Sequence, residues 1–379
     1  MARHRTQFAL SHRNTQVRVY AYALLDDVQD TGVGVLHYPR MDWKELRITV
    51  TIQNAIFQQD TNNTDMQKQP LVSFIVTAHN VNADTLLECI ESITSLSLSL
   101  QEREIILVDD GSTVTPLNEL AEYADQLTYI RQRHQGLSAA RNTGMRMATG
   151  RFLQFVNGTD RLIRAQYEHC LDMARYHDPD VVLFISTKKD NFVEPPFKYC
   201  GPTTGSSYMR DNNIHGAAYN YLFERKAIGN LKFTSTANNE DEEFVTQLLI
   251  RSERFYSTDS EAYYHNDVDS HISRNDMQPA LADTERMLVH LQELVVPEAD
   301  RAALNRRIAQ LTMEYLCDII RCTHDNRQIK DAIERLRDKG LYPLPDRNYT
   351  KKYKYFRIMI GSAMTRPILV ALIRNRLHW

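Results

Sequence analysis

The chain has 379 residues, enough for two domains and an appendage that each bury an apolar core. Apolar residues make up 42% and charged residues 25% of the sequence, and 13 glycines and 12 prolines are too few for a collagen-like or low-complexity chain. The five cysteines are scattered and form no CxxC pair. This pattern indicates neither a disulfide framework nor a zinc knuckle, and it favours reduced thiols in a cytoplasmic compartment.

The net charge of -3 hides an uneven distribution of charge along the chain. Arg347–Trp379 contains eight Lys and Arg and no Asp or Glu, so the rest of the chain, with 37 basic and 48 acidic residues, carries a charge of -11. We therefore expect no binding to nucleic acid, and attraction of the tail to an anionic surface. Met1–Tyr20 carries four arginines, and no apolar run approaches about 18 residues, so we expect neither a signal peptide nor a membrane span.

The first seventy residues differ in pattern from the rest of the chain. Between Leu46 and Ile52, apolar residues alternate with Arg and Thr, which is the period of a half-buried strand, and Val17–Leu25 shows a weaker version of this pattern. Gln58–Pro70 is polar, lacks periodicity and ends in proline, as linkers often do. We therefore predict a small β-rich appendage and linker at residues 1–70.

After Pro70, apolar runs alternate with amphipathic stretches. The predicted strands are Val72–Val76, Glu104–Val108, Leu127–Ile130 and Phe152–Val156, and the predicted helices are Asp84–Leu96, Pro116–Tyr123 and Ser138–Ala148. This alternation is typical of an α/β domain with a mainly parallel sheet and flanking helices, which we place at residues 71–279. Ligands of such sheets bind beyond the carboxyl ends of the strands.

The last hundred residues have a helical pattern. Met287, Leu288, Leu291 and Leu294 share one helix face, and Ala302–Arg321 and Gln328–Lys339 predict further helices. In Tyr349–Trp379, Lys and Arg are interleaved with Tyr, Phe and Ile. We predict a helical C-terminal region at residues 280–379 that ends in a basic, aromatic tail.

Two segments at the ends of the predicted strands and helices carry polar groups that could bind a ligand. Asp109 and Asp110 follow the second strand and could accept hydrogen bonds from a base or a ribose, although Asp-Asp-Gly-Ser is also a turn sequence. Ser138 is a candidate N-cap, which would place Arg141 in the first turn of a helix, where a cation opposes the helix dipole. Such an arginine either binds an anion, for example a diphosphate, or extends into solvent.

Five motifs occur in the order and spacing of family 2 glycosyltransferases. They are T-A-H-N (Thr77–Asn80), V-D-D-G-S (Val108–Ser112), Q-G-L-S-A-A-R-N-x-G (Gln135–Gly144), G-R-F-L-Q-F-V-N-G-T-D (Gly150–Asp160) and N-E-D-E-E-F (Asn239–Phe244). The sequence thus resembles this family from about Pro70 to Arg274. The resemblance implies the GT-A fold, a Rossmann-like α/β domain.

The resemblance also implies an activity and a set of site residues. The expected reaction is an inverting transfer of a sugar from a nucleoside diphosphate, which we expect to be UDP, to an acceptor hydroxyl. The implied donor-binding residues are Thr77, His79, Asn80, Asp109, Asp110 and Arg141. Glu240 and Asp241 match the Glu-Asp pair of the family, whose Asp is the catalytic base. The reaction needs such a base, because a positioned carboxylate speeds attack by a hydroxyl. Without the resemblance, Glu240–Glu243 is simply the acidic first turn of a helix.

The sequence departs from the family at its metal motif. Where the family has D-x-D-D, this chain has Asn157-Gly158-Thr159-Asp160, so Asn157 and Asp160 would line the diphosphate while only Asp160 offers a carboxylate to a metal. His265 and His271 lie where GT-A enzymes supply further contacts to the diphosphate or metal, or they are ordinary loop histidines. We expect any Mg²⁺ or Mn²⁺ to bind weakly or only with the donor.

The C-terminal end supplies the last expectation. Gly340–Pro345 and the basic tail resemble the ends of bacterial glycosyltransferases that build capsular or surface polysaccharide. We expect a glycan or lipid-linked acceptor and a cytoplasmic protein whose tail contacts the inner face of the membrane, unless the tail only packs on the catalytic domain. The competing hypothesis is a non-catalytic glycosyltransferase-like subunit that binds nucleotide or a partner, because the metal motif is eroded.

Overall fold

The structure is a computed structural model. It describes residues 6–12, 15–21, 49–50, 69–189, 196–234, 240–266 and 274–375 except His324, with the first three stretches and 274–279 described by their backbone alone. The chain divides into two compact units. Unit 1 comprises Met1–His169, Ser186–Pro195 and Glu261–Asn266, and unit 2 comprises Cys170–Ile185, Pro196–Ser260 and Asp267–Trp379.

The strands and helices alternate through much of the described chain. The strands are β1 (Thr6–His12), β2 (Thr15–Ala21), β3 (Thr49–Val50), β4 (Val72–Ala78), β5 (Arg103–Asp109), β6 (Leu127–Arg131), β7 (Phe152–Asn157), β8 (Arg161–Leu162), β9 (Val181–Leu183), β10 (Ser186–Thr187), β11 (Tyr199–Thr203), β12 (Tyr221–Glu224), β13 (Phe255–Thr258) and β14 (Tyr263–Tyr264). The helices are α1 (Ala83–Thr94), α2 (Leu137–Met147), α3 (Arg164–Tyr176), α4 (Gly205–Asp211), α5 (Arg225–Ile228), α6 (Glu240–Arg251), α7 (Arg274–Glu293), α8 (Glu298–Cys322), α9 (Asn326–Asp338), α10 (Lys351–Gly361) and α11 (Arg366–Arg374).

Unit 1 is built on a parallel sheet of order β7-β4-β5-β6. Its two inner strands are largely buried and mostly apolar, as expected for parallel strands that are covered on both faces. The register places Ala78 opposite Asp109 and Thr77 opposite Asn157. The carboxyl ends of β4, β5 and β7 therefore lie side by side at one edge of the sheet.

Two smaller sets of strands complete unit 1. Beyond β6 the sheet continues through β2, which is parallel to β6, and then through β1 and β3 in antiparallel pairing. A separate three-stranded sheet has the order β10-β14-β8. The antiparallel pair of β14 and β8 places Tyr263 opposite Leu162 and so brings residues 263–266 beside the end of β7.

Unit 2 combines a four-stranded sheet with the C-terminal helices. The strand order is β11-β13-β9-β12, with β9 and β13 parallel and the other neighbours antiparallel. The long helix α8 contacts α4, α6, α7, α9, α10 and α11. Because α8 is buried along most of its length, it forms the centre of the apolar core to which the other C-terminal helices contribute.

These elements confirm the predicted α/β class, the parallel strands after Pro70 and the helical C-terminal region. The predicted helix Pro116–Tyr123 is wrong in type, because only Glu119–Tyr123 is helical and it is a 3-10 helix. Of the predicted strand from Leu46 to Ile52, the structure describes Thr49–Val50 as a strand, and the remainder lies outside the described residues, as does most of the linker. The domain boundaries at residues 70 and 279 stay predictions.

Two further expectations concern membrane spans and thiols. In the described part of the chain, none of the helices combines the length and apolar character needed to cross a bilayer. The five cysteines all fall within the described residues and are free thiols. Cys89, Cys170 and Cys317 are buried, and this burial raises the pKa of each thiol, whereas Cys200 is exposed.

A buried carboxylate connects three helices of unit 2. Glu285 of α7 accepts hydrogen bonds from the hydroxyl of Tyr315 on α8 and from Arg335 and Lys339 at the end of α9. Burial alone would raise the pKa of Glu285, but the hydrogen bonds from Arg335, Lys339 and Tyr315 lower it below its ordinary value of 4.5. The ionised carboxylate therefore stabilises the packing of these helices.

We predict that Glu285→Gln lowers the free energy of unfolding by about 1–3 kcal/mol, because the charge-assisted hydrogen bonds are lost. Glu293→Gln changes an exposed carboxylate on the same helix and should have an effect within about 0.5 kcal/mol. Since the folded-state pKa is depressed, the contribution of Glu285 is complete above pH 4.5 and is lost as the pH falls through the lowered pKa. Urea unfolding at pH 7 and pH 3 measures both effects, and equal stability of the two variants at pH 7 would contradict the prediction.

Candidate functional site

The candidate site lies at the carboxyl edge of the sheet in unit 1. Asp109 is the last residue of β5 and is completely buried. Its carboxylate accepts hydrogen bonds from the Ser112 backbone amide (2.8 Å) and from the Tyr129 hydroxyl (2.5 Å), and Arg131 Nε lies 3.6 Å away. Burial and this hydrogen bond raise the pKa of Tyr129, so its hydroxyl stays a donor. Asp109 thus fixes the turn after β5.

Asp110 is also buried and binds the segment that leads into α2. Its Oδ1 accepts hydrogen bonds from the side-chain amide of Gln132 (2.6 Å) and from the backbone N–H of Gln135 (3.0 Å). Its Oδ2 accepts from the Gly136 amide (2.8 Å) and lies 2.8 Å from His134 Nδ1. One carboxylate therefore holds the whole loop between β6 and α2.

Two histidines stack over this loop. The rings of His79 and His134 are 4.1 Å apart at an interplanar angle of 23°. Nδ1 of His79 lies 2.8 Å and Nδ1 of His134 lies 3.1 Å from the carbonyl oxygen of Asp110. Ligand atoms of His79, Asp110 and His134 all lie within 4.8 Å of one another, which is close enough to hold a metal ion. The motif-based prediction included His79 and Asp110 but not His134.

Asn80 connects the ends of β4 and β5. Its backbone, at a φ of 52°, donates to the Ser112 hydroxyl (2.9 Å), and its side-chain oxygen accepts from the Thr113 amide (2.8 Å). Asn tolerates this left-handed conformation better than most residues do. Thr77, the residue before the end of β4, is buried at the same edge.

The start of α2 corrects one expectation. The N-cap is Gly136, at a φ of 89° that favours glycine, and Ser138 lies within the first turn, so the predicted Ser138 N-cap is wrong. The helix packs close to β4, because a Cβ on Gly144 would lie 2.2 Å from Ile75 Cγ2. This close contact brings Arg141 against the end of the sheet.

Arg141 is only 1% exposed, which rules out the alternative of an arginine extended into solvent. Its guanidinium carbon lies 5.5 Å from the centre of the Phe155 ring, and its Nη2 lies 3.4 Å from Asn157 Oδ1. Asn157 is the last residue of β7 and occupies the first position of the eroded metal motif. The structure thus brings Arg141 and Asn157 together, and their roles in donor binding stay predictions.

Asp160 is buried in a network with the strand β14 and the residues after it. Its Oδ2 accepts from Asn157 Nδ2 (2.8 Å) and from the Tyr263 hydroxyl (2.8 Å), and it lies 3.1 Å from His265 Nδ1. The Tyr263 hydroxyl also accepts a hydrogen bond from the backbone N–H of Asn157 (3.0 Å). Asp160 and His265 therefore lie together, while His271 falls outside the described residues.

The second oxygen of Asp160 is occupied as well. Its Oδ1 accepts from the Thr159 hydroxyl (3.2 Å) and the Asn266 amide (3.1 Å). Burial alone would raise the pKa of Asp160, but hydrogen bonds from His265, Tyr263 and Asn157 lower it. The carboxylate is therefore ionised at neutral pH and surrounded by donors of its own chain.

These contacts test whether the eroded motif fits a divalent cation. Mg²⁺ and Mn²⁺ need carboxylate oxygens with free lone pairs, and magnesium sites commonly use one or two protein carboxylates together with the phosphates of the substrate. Here Asp160 is the sole carboxylate of the motif, and both of its oxygens accept hydrogen bonds from five groups of the chain. The motif Asn157–Asp160 therefore does not form a metal site of this kind in the free protein.

The predicted base lies in unit 2. Asp241 is half-buried in the first turn of α6, and its Oδ2 accepts a hydrogen bond from the Ala218 amide (3.0 Å). Its neighbours Glu242 and Glu243 are engaged within unit 2, with Arg307 and with Thr234 respectively. The turn Glu240–Glu243 is thus both the acidic helix start that local pattern predicts and the position of the family pair. The roles of Glu240 and Asp241 stay predictions.

Comparison with known proteins identifies the family. The profile of Glycosyl transferase family 2 matches residues 73–228. The uncharacterized glycosyltransferase EpsJ of Bacillus subtilis is 30% identical over 241 residues, which are 59% of this chain and 67% of EpsJ. The chain belongs to glycosyl transferase family 2. The minor teichoic acid biosynthesis protein GgaB of B. subtilis is 24% identical to this glycosyltransferase over 202 residues, 51% of this chain and 22% of GgaB.

The fold of the glycosyltransferase is the predicted GT-A fold. The crystal structure of S. aureus TarS 1-349 in complex with UDP-GlcNAc superposes with a TM-score of 0.56 at 16% identity, covering 80% of this chain and 90% of that chain. At 16% identity, this structural similarity establishes the fold alone. The expected mainly parallel sheet with flanking helices and a helical C-terminal region is confirmed.

Sequence reasoning missed several residues that shape the site of the glycosyltransferase. His134 begins the same segment as the Q-G-L-S motif, so its place beside Asp110 could have been suspected from its position. Tyr129, Gln132 and Tyr263 gave no such signal. Tyr129 and Tyr263 lie within strands. The aspartates to which their hydroxyls donate are 20 and 103 residues away in the sequence.

We predict that the motif Asn157–Asp160 of the donor-free glycosyltransferase binds Mn²⁺ weakly, because the oxygens of Asp160 are already occupied. Calorimetric titration with Mn²⁺ should show no site of micromolar or higher affinity attributable to this motif. Asp160→Asn is the matched variant, and it should leave the titration unchanged. A tight stoichiometric site that this substitution abolishes would show that the interpretation of Asn157-Gly158-Thr159-Asp160 is wrong.

Proposed function

We propose that this glycosyltransferase transfers a sugar, with inversion at the anomeric carbon, from a UDP-sugar to a hydroxyl of a glycan or lipid-linked acceptor. We assign it to bacterial surface polysaccharide synthesis at the cytoplasmic face of the membrane. The relation to a teichoic acid biosynthesis protein supports this assignment, and the likeness to TarS, which has been solved with UDP-GlcNAc, supports the donor class.

The observation that carries the proposal is the clustering of donor-binding candidates at one sheet edge. Thr77 lies opposite Asn157, Ala78 lies opposite Asp109, and Asp110 holds the loop before α2. Open parallel sheets bind nucleotides at this edge. The nucleoside would lie near His79 and Asp110, and the diphosphate near Arg141 and Asn157.

The charge at this edge suits a leaving diphosphate. As the bond from the anomeric carbon to the phosphate oxygen breaks, negative charge develops that must be neutralised. Arg141 is a buried cation beside Asn157, and His265 is a half-buried imidazole beside Asp160. We propose that Arg141 neutralises the diphosphate, assisted by His265 in its protonated form, and that a divalent cation, if one is required, arrives with the donor.

The acceptor step needs a base. The acceptor oxygen forms a bond to the anomeric carbon while its proton passes to a carboxylate, and we propose that Asp241 is this carboxylate. Proton transfer to a positioned base accelerates such attack by about 10²–10⁴-fold. The hydrogen bond from Ala218 to Oδ2 fixes the orientation of Asp241.

We predict that Asp241→Asn lowers kcat at least about 100-fold while the affinity for the donor is retained, because the amide keeps the shape but cannot accept a proton. The control Glu253→Gln removes an exposed carboxylate just beyond α6 and should keep normal turnover. Release of UDP and NMR of the product anomer are the measurements. Near-normal turnover of the Asn variant would remove Asp241 from the mechanism, and a retained anomer would refute inversion.

We predict a separate effect of Asp110→Asn on donor binding. An amide has one acceptor oxygen, so it cannot accept from Gln132, Gln135 and Gly136 together, and the loop before α2 should lose its conformation. Calorimetry with UDP should show at least about tenfold weaker binding. The control Asp125→Asn changes an exposed carboxylate and should bind UDP as the unmodified protein does. Unchanged UDP affinity in Asp110→Asn would move the nucleoside away from this loop.

The second candidate function is a non-catalytic subunit that binds nucleotide or a partner. The occupied oxygens of Asp160 and the two missing carboxylates favour it. Thermal stabilisation by a panel of nucleotide-sugars identifies a donor in either case, since ligand at 100 times its dissociation constant adds about 2.7 kcal/mol. Stabilisation without any UDP release, with or without added Mn²⁺ and with candidate acceptors, would favour the subunit.

A further inference from the structure

The described part of the basic tail, which ends at Asn375, contains two helices whose inner sides are buried. Helices α10 and α11 contact α8 and each other. Their buried side chains are Tyr353, Phe356, Ile360, Leu369, Val370 and Ile373. This packing accounts for only part of the apolar pattern of the tail, because other apolar side chains of the same segment remain exposed.

Large apolar side chains also remain exposed on these helices and between them. The exposed large apolar residues there are Tyr355 (58%), Ile358 (49%), Met364 (86%) and Ile368 (56%), which we call the outer patch. Tyr355 and Ile358 are three residues apart on α10, Met364 lies between the helices, and Ile368 lies on α11. Four of the eleven exposed large apolar side chains in the described part of the chain thus fall within fourteen residues. Clustered exposure of this kind marks an interaction surface.

The charged side chains of the tail helices themselves are all basic, although Asp346, just before the tail helices, pairs with Arg357 of α10 (2.6 Å). Residues 349–375 contain no Asp or Glu. Lys351, Lys352 and Lys354 are exposed in the first turn of α10, next to Tyr355. Cations are unfavourable at a helix N-terminus because they oppose the helix dipole, and an external anion bound to these lysines would offset this unfavourable interaction.

These observations favour one kind of partner. A second copy of the chain would bring its own lysines against these lysines, which is repulsive. An anionic bilayer attracts each lysine with about 1 kcal/mol and accepts apolar side chains at the depth of the headgroups. Lysine stems can extend along the apolar surface while their ammonium groups reach the phosphates.

We propose that the outer patch inserts into the headgroup layer of an anionic membrane, with Lys351, Lys352 and Lys354 bound to lipid phosphates. None of these residues belongs to the candidate donor or base sites. The proposal therefore holds or fails independently of the transfer chemistry. It would bring the catalytic units to the surface where lipid-linked acceptors reside.

The test is cosedimentation of the full chain with vesicles of phosphatidylcholine alone or with about 30% phosphatidylglycerol. We expect binding to the anionic vesicles that weakens as salt is raised from about 50 to about 500 mM. The double variant Ile358→Ser/Ile368→Ser should bind at least about tenfold more weakly, because two apolar anchors are lost. The triple variant Lys351→Gln/Lys352→Gln/Lys354→Gln should lose the preference for anionic lipid.

The control is Val114→Ser/Val295→Ser, which removes two exposed valines outside the tail and should bind as the unmodified chain does. All substituted side chains are exposed, and matching thermal midpoints establish that the variants fold. The proposal is overturned if the unmodified chain ignores anionic vesicles at low salt, if it binds neutral vesicles equally well, or if the isoleucine variant binds normally. A dimer in light scattering that this variant dissociates, without vesicle binding, would identify a second copy as the partner.

Discussion

The hydrogen bonds to the buried carboxylate of Asp110 are the interactions on which the candidate site depends. The carboxylate accepts hydrogen bonds from two backbone amides and one side-chain amide of a single loop. That loop sets where α2 begins, and α2 carries Arg141 to the end of β7. The positions of the stacked histidines and of the buried arginine therefore both follow from one residue after β5. A local charge organises groups that are far apart in the sequence.

The same edge contains another buried carboxylate, Asp160, with a different environment. Asp160 is surrounded by an amide, two hydroxyls, an imidazole and a backbone N–H, and these donors keep it ionised. Such a network removes the need for an external cation to balance the buried charge. It also fixes residues 263–266 against β7, so the eroded motif retains a structural task.

The parallel strands could be predicted because buried strands are uniform apolar runs, and their carboxyl ends could be placed at one edge by topology alone. The N-cap of α2 could not be predicted, because Ser138 and Gly136 both suit a helix start. Only the hydrogen bond from the Gly136 backbone N–H to Asp110 decides between them. The partners of Asp160 could not be predicted either. Tyr263 and His265 come from a strand about 100 residues later and its flank, and local pattern carries no information about such pairings.

The burial of the thiols has a practical consequence for spectroscopy. Three of the five cysteines are buried with raised pKa values, so few of their thiolates are available to an alkylating reagent. Cys200, on β11, is the exposed thiol, and Cys322 is half-buried. A maleimide dye used in limiting amount should attach there first, and unit 2 would then carry a single optical reporter without any cysteine having been engineered.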